Sequence, residues 1–245
     1  MLNNEEIANM KVCDIVTKSP GRAGVLTKFG LDFCCGGAKP LNETCEKKGI
    51  EIATVVNELL DYDARNEGES IENIENMSAT ELCDLIVGRH HNFLRNHLQV
   101  TGLHAQKVAR VHGEANPTLV QIAEIFAGLR NELEPHMMKE ERILFPLIKQ
   151  LEHATEPLEA HCGSVRNPIR AMFMEHHSAG AALAKLRELT NGYQPPNHAC
   201  NTYRALFAEL EMLERDTHAH IHLENHVLFV KAQEIEAKLM GFTTE

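Results

Sequence analysis

Two helical segments of this chain place a carboxylate in the stripe that should be apolar. On the first, Leu129, Leu133, His136, Glu140, Ile143 and Leu147 follow helical spacing; on the second, Leu213, His220, Glu224 and Val227 do the same. A histidine and a glutamate four residues apart share a helix face, and a lone pair of this kind is usually a solvated surface feature. Inside a core-facing stripe it is costly, because a buried carboxylate must be compensated by a cation or by donors. The fold must therefore neutralise Glu140 and Glu224.

The surrounding pattern predicts an all-α, up-down-up-down four-helix bundle. Ser78 and Glu81 form a capping-box signature for a helix running to about His112. Asn116-Pro117 opens a second helix at about 117–152, and Asn167-Pro168 a third at about 168–191. Pro195-Pro196-Asn197 leads into a fourth at about 198–239, and Pro146 is expected to kink or break the second. The first and third helices carry histidine pairs, His90-His91 and His176-His177. His91 to His136 spans 45 residues and His176 to His220 spans 44, so the bundle reads as two related hairpins.

His91 travels with Val87, Leu94 and Leu98, and His176 with Met172, Phe173 and Leu183. His90 shares a face with Ile86 and Phe93, so spacing does not separate it from His91. The inward set is His91, His136, Glu140, His176, His220 and Glu224. It is too large for one tetrahedral zinc. Two bridging carboxylates with two imidazoles per metal suit two iron ions, with an oxo or hydroxo bridge completing the coordination. The other histidines are expected at the surface or behind the ligands.

Residues 1–62 contain no histidine and read as a small helical domain, with pieces at Glu5–Val16, Ala23–Phe29 and Glu51–Tyr62. The acidic 63–77 stretch reads as a linker to a bundle at 78–245. Adjacent Cys34 and Cys35 lie in a glycine-punctuated turn, where a disulfide between them would be strained. Free turn amides can favour thiolate, which suits iron transfer or redox work. A net charge of -11 argues against nucleic acid, and no apolar run approaches a membrane span. The polar N-terminus is unlike a secretory signal, so a cytoplasmic protein with reduced thiols is expected.

These motifs resemble a known family. H-M-M-K-E-E-x-I-L-F-P at 136–146 and H-I-x-L-E-N-x-V-L-F at 220–229 are similar to the hemerythrin-like bundle, with Val230 where the first copy has Pro146. With F-C-C-G-G at 33–37, the whole chain resembles the iron–sulfur cluster repair di-iron proteins of the RIC or ScdA type. The resemblance implies the same six ligands, favours His91 over His90, and puts Glu132 and Glu175 near the site, where they would line an iron exit path. It implies a cytoplasmic stress protein that restores clusters in damaged iron–sulfur proteins. Nitric oxide binding or reduction is the alternative, and dioxygen carriage comes third, since hemerythrins use five histidines. It does not fix the oligomeric state, a homodimer included.

Overall fold

A computed structural model of the chain describes residues 4–66, 74–158 and 163–242. Among these residues there is no strand; an isolated bridge joins Lys11 and Pro40. That bridge falls where a single first helix was expected, and splits it into α1 (Asn4–Asn9) and α2 (Val12–Lys18). Next come α3 (Ala23–Lys28), α4 (Leu41–Lys48) and α5 (Ile52–Arg65). Asp63 grips the Arg22 guanidinium through two bonds of 3.0 and 2.6 Å, which carries α5 to Arg65.

Four long rods follow. The first is α6 (Ala79–Leu85) and α7 (Asn92–His112), joined by a π-helical turn at Ile86–His91. The second is α8 (Thr118–Lys139) and α9 (Phe145–His153), joined by a π turn at Glu140–Leu144. The third is α10 (Arg166–Leu189), which is unbroken. The fourth is α11 (Asn201–Leu223) and α12 (Phe229–Leu239), joined by a π turn at Glu224–Leu228. Helix α7 packs on α8 and α11, and α8 packs on α10.

The π turns explain where the sequence periodicity slipped. Each inserts one residue into the helical count. Ile143, expected inward, is 58% exposed, and Leu144 and Ile148 take the core positions. Pro146 falls in the first turn of α9, directly after the π turn that interrupts the α-helix, where a missing N–H is tolerated. Phe173 was also expected inward; it is partly exposed and meets Phe229 edge-on.

The capping box forms as expected, with Glu81 N donating to Ser78 Oγ and Ser78 N to Glu81 Oε2. Asn116 Oδ1 accepts from Thr118 N at 3.2 Å. The third rod begins earlier than Asn167-Pro168 suggests, because Val165 N donates to Glu236 on α12 at 2.7 Å. Ser164 Oγ donates to the same carboxylate. In the other hairpin, Glu152 on α9 accepts from Ala79 N and Thr80 N at the start of α6. Each hairpin thus caps its first helix with a glutamate from its second, twelve residues beyond Glu140 or Glu224.

The expected linker is shorter at both ends. Asp63–Arg65 belong to α5, and Ile74 is buried against the bundle. The remainder, residues 67–73, lies outside the described residues. The N-terminal helices share one apolar cluster with the bundle, running from Ile7, Phe33 and Cys34 to Leu94, Leu129 and Ala179. A second cluster, around Leu82, Phe145, Ile169 and Phe229, fills the other end. The histidine–glutamate layer lies between the two. No described helix is long and apolar enough to cross a membrane.

Glu236→Ala should lower stability by about 1–2 kcal/mol through loss of the cap, seen as a lower denaturant midpoint. An unchanged midpoint would show that the cap carries no weight.

Candidate metal centre

All six residues of the inward set are buried, with Glu140 and Glu224 fully so. Their donor atoms form two groups able to hold a metal ion: His91, Glu140, His220 and Glu224; and His136, Glu140, His176 and Glu224. Each carboxylate faces both groups. Glu140 Oε1 lies 3.1 Å from His136 Nε2, and its Oε2 3.3 Å from His91 Nε2. Glu224 Oε2 lies 3.0 Å from His176 Nε2, and its Oε1 3.0 Å from His220 Nε2. The four Nε2 atoms pair across the bundle at 3.2 Å (His91, His220) and 3.1 Å (His136, His176).

This is a donor set that fits cations. Both Glu140 oxygens and Glu224 Oε2 are buried without a well-formed hydrogen bond, despite their nearness to imidazoles. Such orphaned acceptors are destabilising alone and are satisfied by metal. Two of the π turns begin on these glutamates, and the third ends on His91, so helical widening coincides with the site.

Burial and the carboxylates pull the imidazoles in opposite directions. For His136, desolvation opposes the charged form, but Glu140, Glu224 and Glu175 outweigh it and raise the pKa to about 9. His91 is also raised, by Glu140, Glu224 and Glu141 against the same penalty. At His220 burial wins and the pKa falls. Burial also disfavours charge on Glu224, yet His220 and His176 hold its carboxyl well below the usual range.

Behind the rings stand partners that the periodicity did not identify. His91 Nδ1 meets Glu141 at 2.6 Å, and Glu141 also pairs with Arg95. His176 Nδ1 meets Asn225 at 2.8 Å. Glu141 and Asn225 each directly follow a bridging-position glutamate in the repeat, which is the signal that marks them. His136 Nδ1 meets Glu175 at 2.7 Å, and Lys139 pairs with that carboxylate. Glu132 is exposed and accepts from Ser178 at 2.9 Å.

The cysteine turn lies against the same layer. Asn225 Nδ2 donates to the Cys34 carbonyl at 3.2 Å, and His226 Nε2 lies 2.7 Å from it. His222, buried, reaches the Phe33 carbonyl and Thr17. Cys35 Sγ sits 3.6 Å from the His176 carbonyl. Gly180 adjoins it: a Cβ there would stand 3.4 Å from that sulfur, at the edge of ordinary contact. The amides of Cys34, Cys35 and Gly36 are not free: the Asp32 carboxylate takes all three. Cys34 is therefore not a favoured thiolate. Its bond to Cys35, burial and the Asp32 charge push its pKa well up. A cavity of about 420 Å³ opens beside the turn, lined by Asp32, Cys34, Cys35, His177, Arg187 and His218.

Residues 85–232 match the hemerythrin HHE cation binding domain, and residues 8–63 match ScdA_N, a domain of unknown function. The iron-sulfur cluster repair protein ScdA of Staphylococcus haemolyticus is 35% identical over 231 residues, 94% of this chain and 99% of that protein. This chain belongs to the hemerythrin-like ScdA/YtfE family. The iron-sulfur cluster repair protein YtfE of Edwardsiella ictaluri is 36% identical over 219 residues, 89% of this chain and 94% of that one. A probable iron-sulfur cluster repair protein of Haemophilus influenzae is 32% identical over 222 residues, covering 91% and 96%. In this ScdA/YtfE-type chain the cation-binding domain and the buried donor cluster coincide.

Because His136, with its pKa raised to about 9, holds a proton in the metal-free protein, metal uptake near pH 8 should release protons and weaken as pH falls. Titration of unbuffered apoprotein with metal checks this; uptake without proton release would contradict it. Glu140→Gln or Glu224→Gln keeps the shape and removes a charge. Metal affinity should fall by roughly an order of magnitude or more, as when a ligand's partners are lost, lowering occupancy at limiting metal with helical circular dichroism nearly unchanged. Full occupancy in both variants would exclude them as ligands.

Proposed function

We propose that this protein carries two iron ions, which Glu140, Glu224 and the four histidines would hold, and restores iron–sulfur clusters damaged by nitrosative and oxidative stress by supplying iron. It would act in the cytoplasm on damaged iron–sulfur proteins. The observation that carries the proposal is the docking of the Cys34-Cys35 turn on the metal-ligand layer. Asn225 ties the ring of His176 to the Cys34 carbonyl, and Cys35 lies against the His176 backbone. Relatives named iron-sulfur cluster repair proteins span nearly the whole chain, including that turn.

Bound iron would supply Lewis-acid and redox chemistry. The chain supplies the rest. Glu140 and Glu224 offset the cationic charge from both sides, and four imidazoles give neutral nitrogen donors. Glu141, Glu175 and Asn225 hold three of the rings in orientation. The apolar clusters on either side keep bulk water from the layer. A half-buried Cys35 thiol places a soft iron ligand at the cavity wall, 3.6 Å from the His176 carbonyl.

The alternative is a nitric oxide-directed di-iron enzyme. It is favoured by the donor count: four imidazoles and two shared carboxylates leave coordination positions for a small ligand. Reactivation of a nitrosylated cluster enzyme by the iron-loaded protein, run beside a nitric oxide consumption assay, separates the two. Reactivation without consumption supports repair, and consumption without reactivation supports the alternative. Cys35→Ser should keep the iron content and reduce reactivation several-fold. Undiminished reactivation would make the thiol structural.

A further inference from the structure

We infer that the two halves of the centre hold their ions unequally, and that the ion on His91 and His220 is the one that exchanges. This rests on the di-metal proposal above and adds which ion is the releasable one.

Three of the four imidazoles are fixed from behind: His91 by Glu141, His136 by Glu175 and His176 by Asn225. His220 is not. Its ring is 1% exposed, and its Nδ1 has no hydrogen-bond partner. The internal repeat explains the omission. The third helix follows the first at an offset of 85 residues, His91 to His176, so position 90 corresponds to position 175. At 175 a glutamate aims its carboxylate at His136. At 90 the residue is a histidine, stacked on His220 with ring centroids 5.7 Å apart and planes 6° from parallel. A ring's N–H donates in its own plane, so a partner stacked over its face cannot accept it. His90 instead turns its Nδ1 to Asp216, at 2.9 Å.

Partners behind metal-bound histidines fix the ring and raise its basicity, and their loss costs about 10–100-fold in metal affinity. The His136–His176 half has both anchors, and one is an ionised carboxylate braced by Lys139. It also carries the docked cysteine turn, through Asn225 and Cys35. The His91–His220 half has one anchor. Departure of its ion therefore does not require the cysteine turn to undock.

The test uses the full-length protein loaded with ferrous iron and mixed with excess ferrous chelator, following release by absorbance and residual iron by elemental analysis. Two phases are expected, with rates about 10–100-fold apart. Glu175→Ala, at a half-buried position, should bring the slow phase towards the fast one, and Glu175→Gln, which still accepts a hydrogen bond, should preserve much of the gap. His90→Glu should give His220 an acceptor and slow the fast phase. If His90→Glu does not fold, the Glu175 pair carries the test. Single-phase release from the parent, or two phases unmoved by Glu175→Ala, would overturn the inference. Binding of fewer than two ions would overturn the di-metal proposal with it. Two unequal phases in a protein that fails to reactivate clusters would sustain this inference and remove the repair role alone.

Discussion

Two carboxylates at zero exposure in the middle of a helical bundle set the terms for everything around them. Glu140 and Glu224 cannot be hydrated there, and burial of an ion costs several kcal/mol unless charges and donors replace the water. Four imidazoles close on them from four rods, which fixes the rods' relative heights to within a hydrogen-bond length. The apolar core then has to form as two clusters, one on each side of this polar layer. The layer gives the bundle its register, and the clusters give it most of its burial.

The fold was legible to the extent that it follows period and punctuation. The capping box at Ser78, the four rods and five of the inward residues follow from spacing, and the choice of His91 over His90 from the family resemblance. Three features did not. The π turns are invisible to a 3.6-residue count, because an inserted residue only displaces the stripe, exchanging Ile143 for Leu144. The start of α10 is set by Glu236, a residue 71 positions from the amide it caps, and local signals at Asn167-Pro168 could not contain it. The third is the docking of the cysteine turn, which depends on carbonyls of Phe33 and Cys34 meeting His222, Asn225 and His226; backbone acceptors carry no sequence signature.

The candidate site divides in the same way. Residues that donate to the centre were found because they repeat. Those behind them were partly missed, because there the repeat is broken: Glu141 is answered by Asn225, and Glu175 by His90. Glu132, placed by the family resemblance, is exposed and turns its carboxylate to Ser178. Helical spacing states which face a residue is on, and a flexible glutamate on the edge of that face can turn either way.

A duplicated hairpin poses a further problem for a chain with one appendage: it offers two equivalent faces on which to dock. Gly180 stands four residues after His176, and Arg95 four residues after His91. On one face Gly180 adjoins the Cys35 sulfur, and Asn225 offers an amide to the turn. On the other, Arg95 pairs with Glu141, which has only oxygens to present to an approaching carbonyl. The cysteine turn meets the copy that carries Gly180 and Asn225, and the symmetry of the repeat gives way to a molecule with a front and a back.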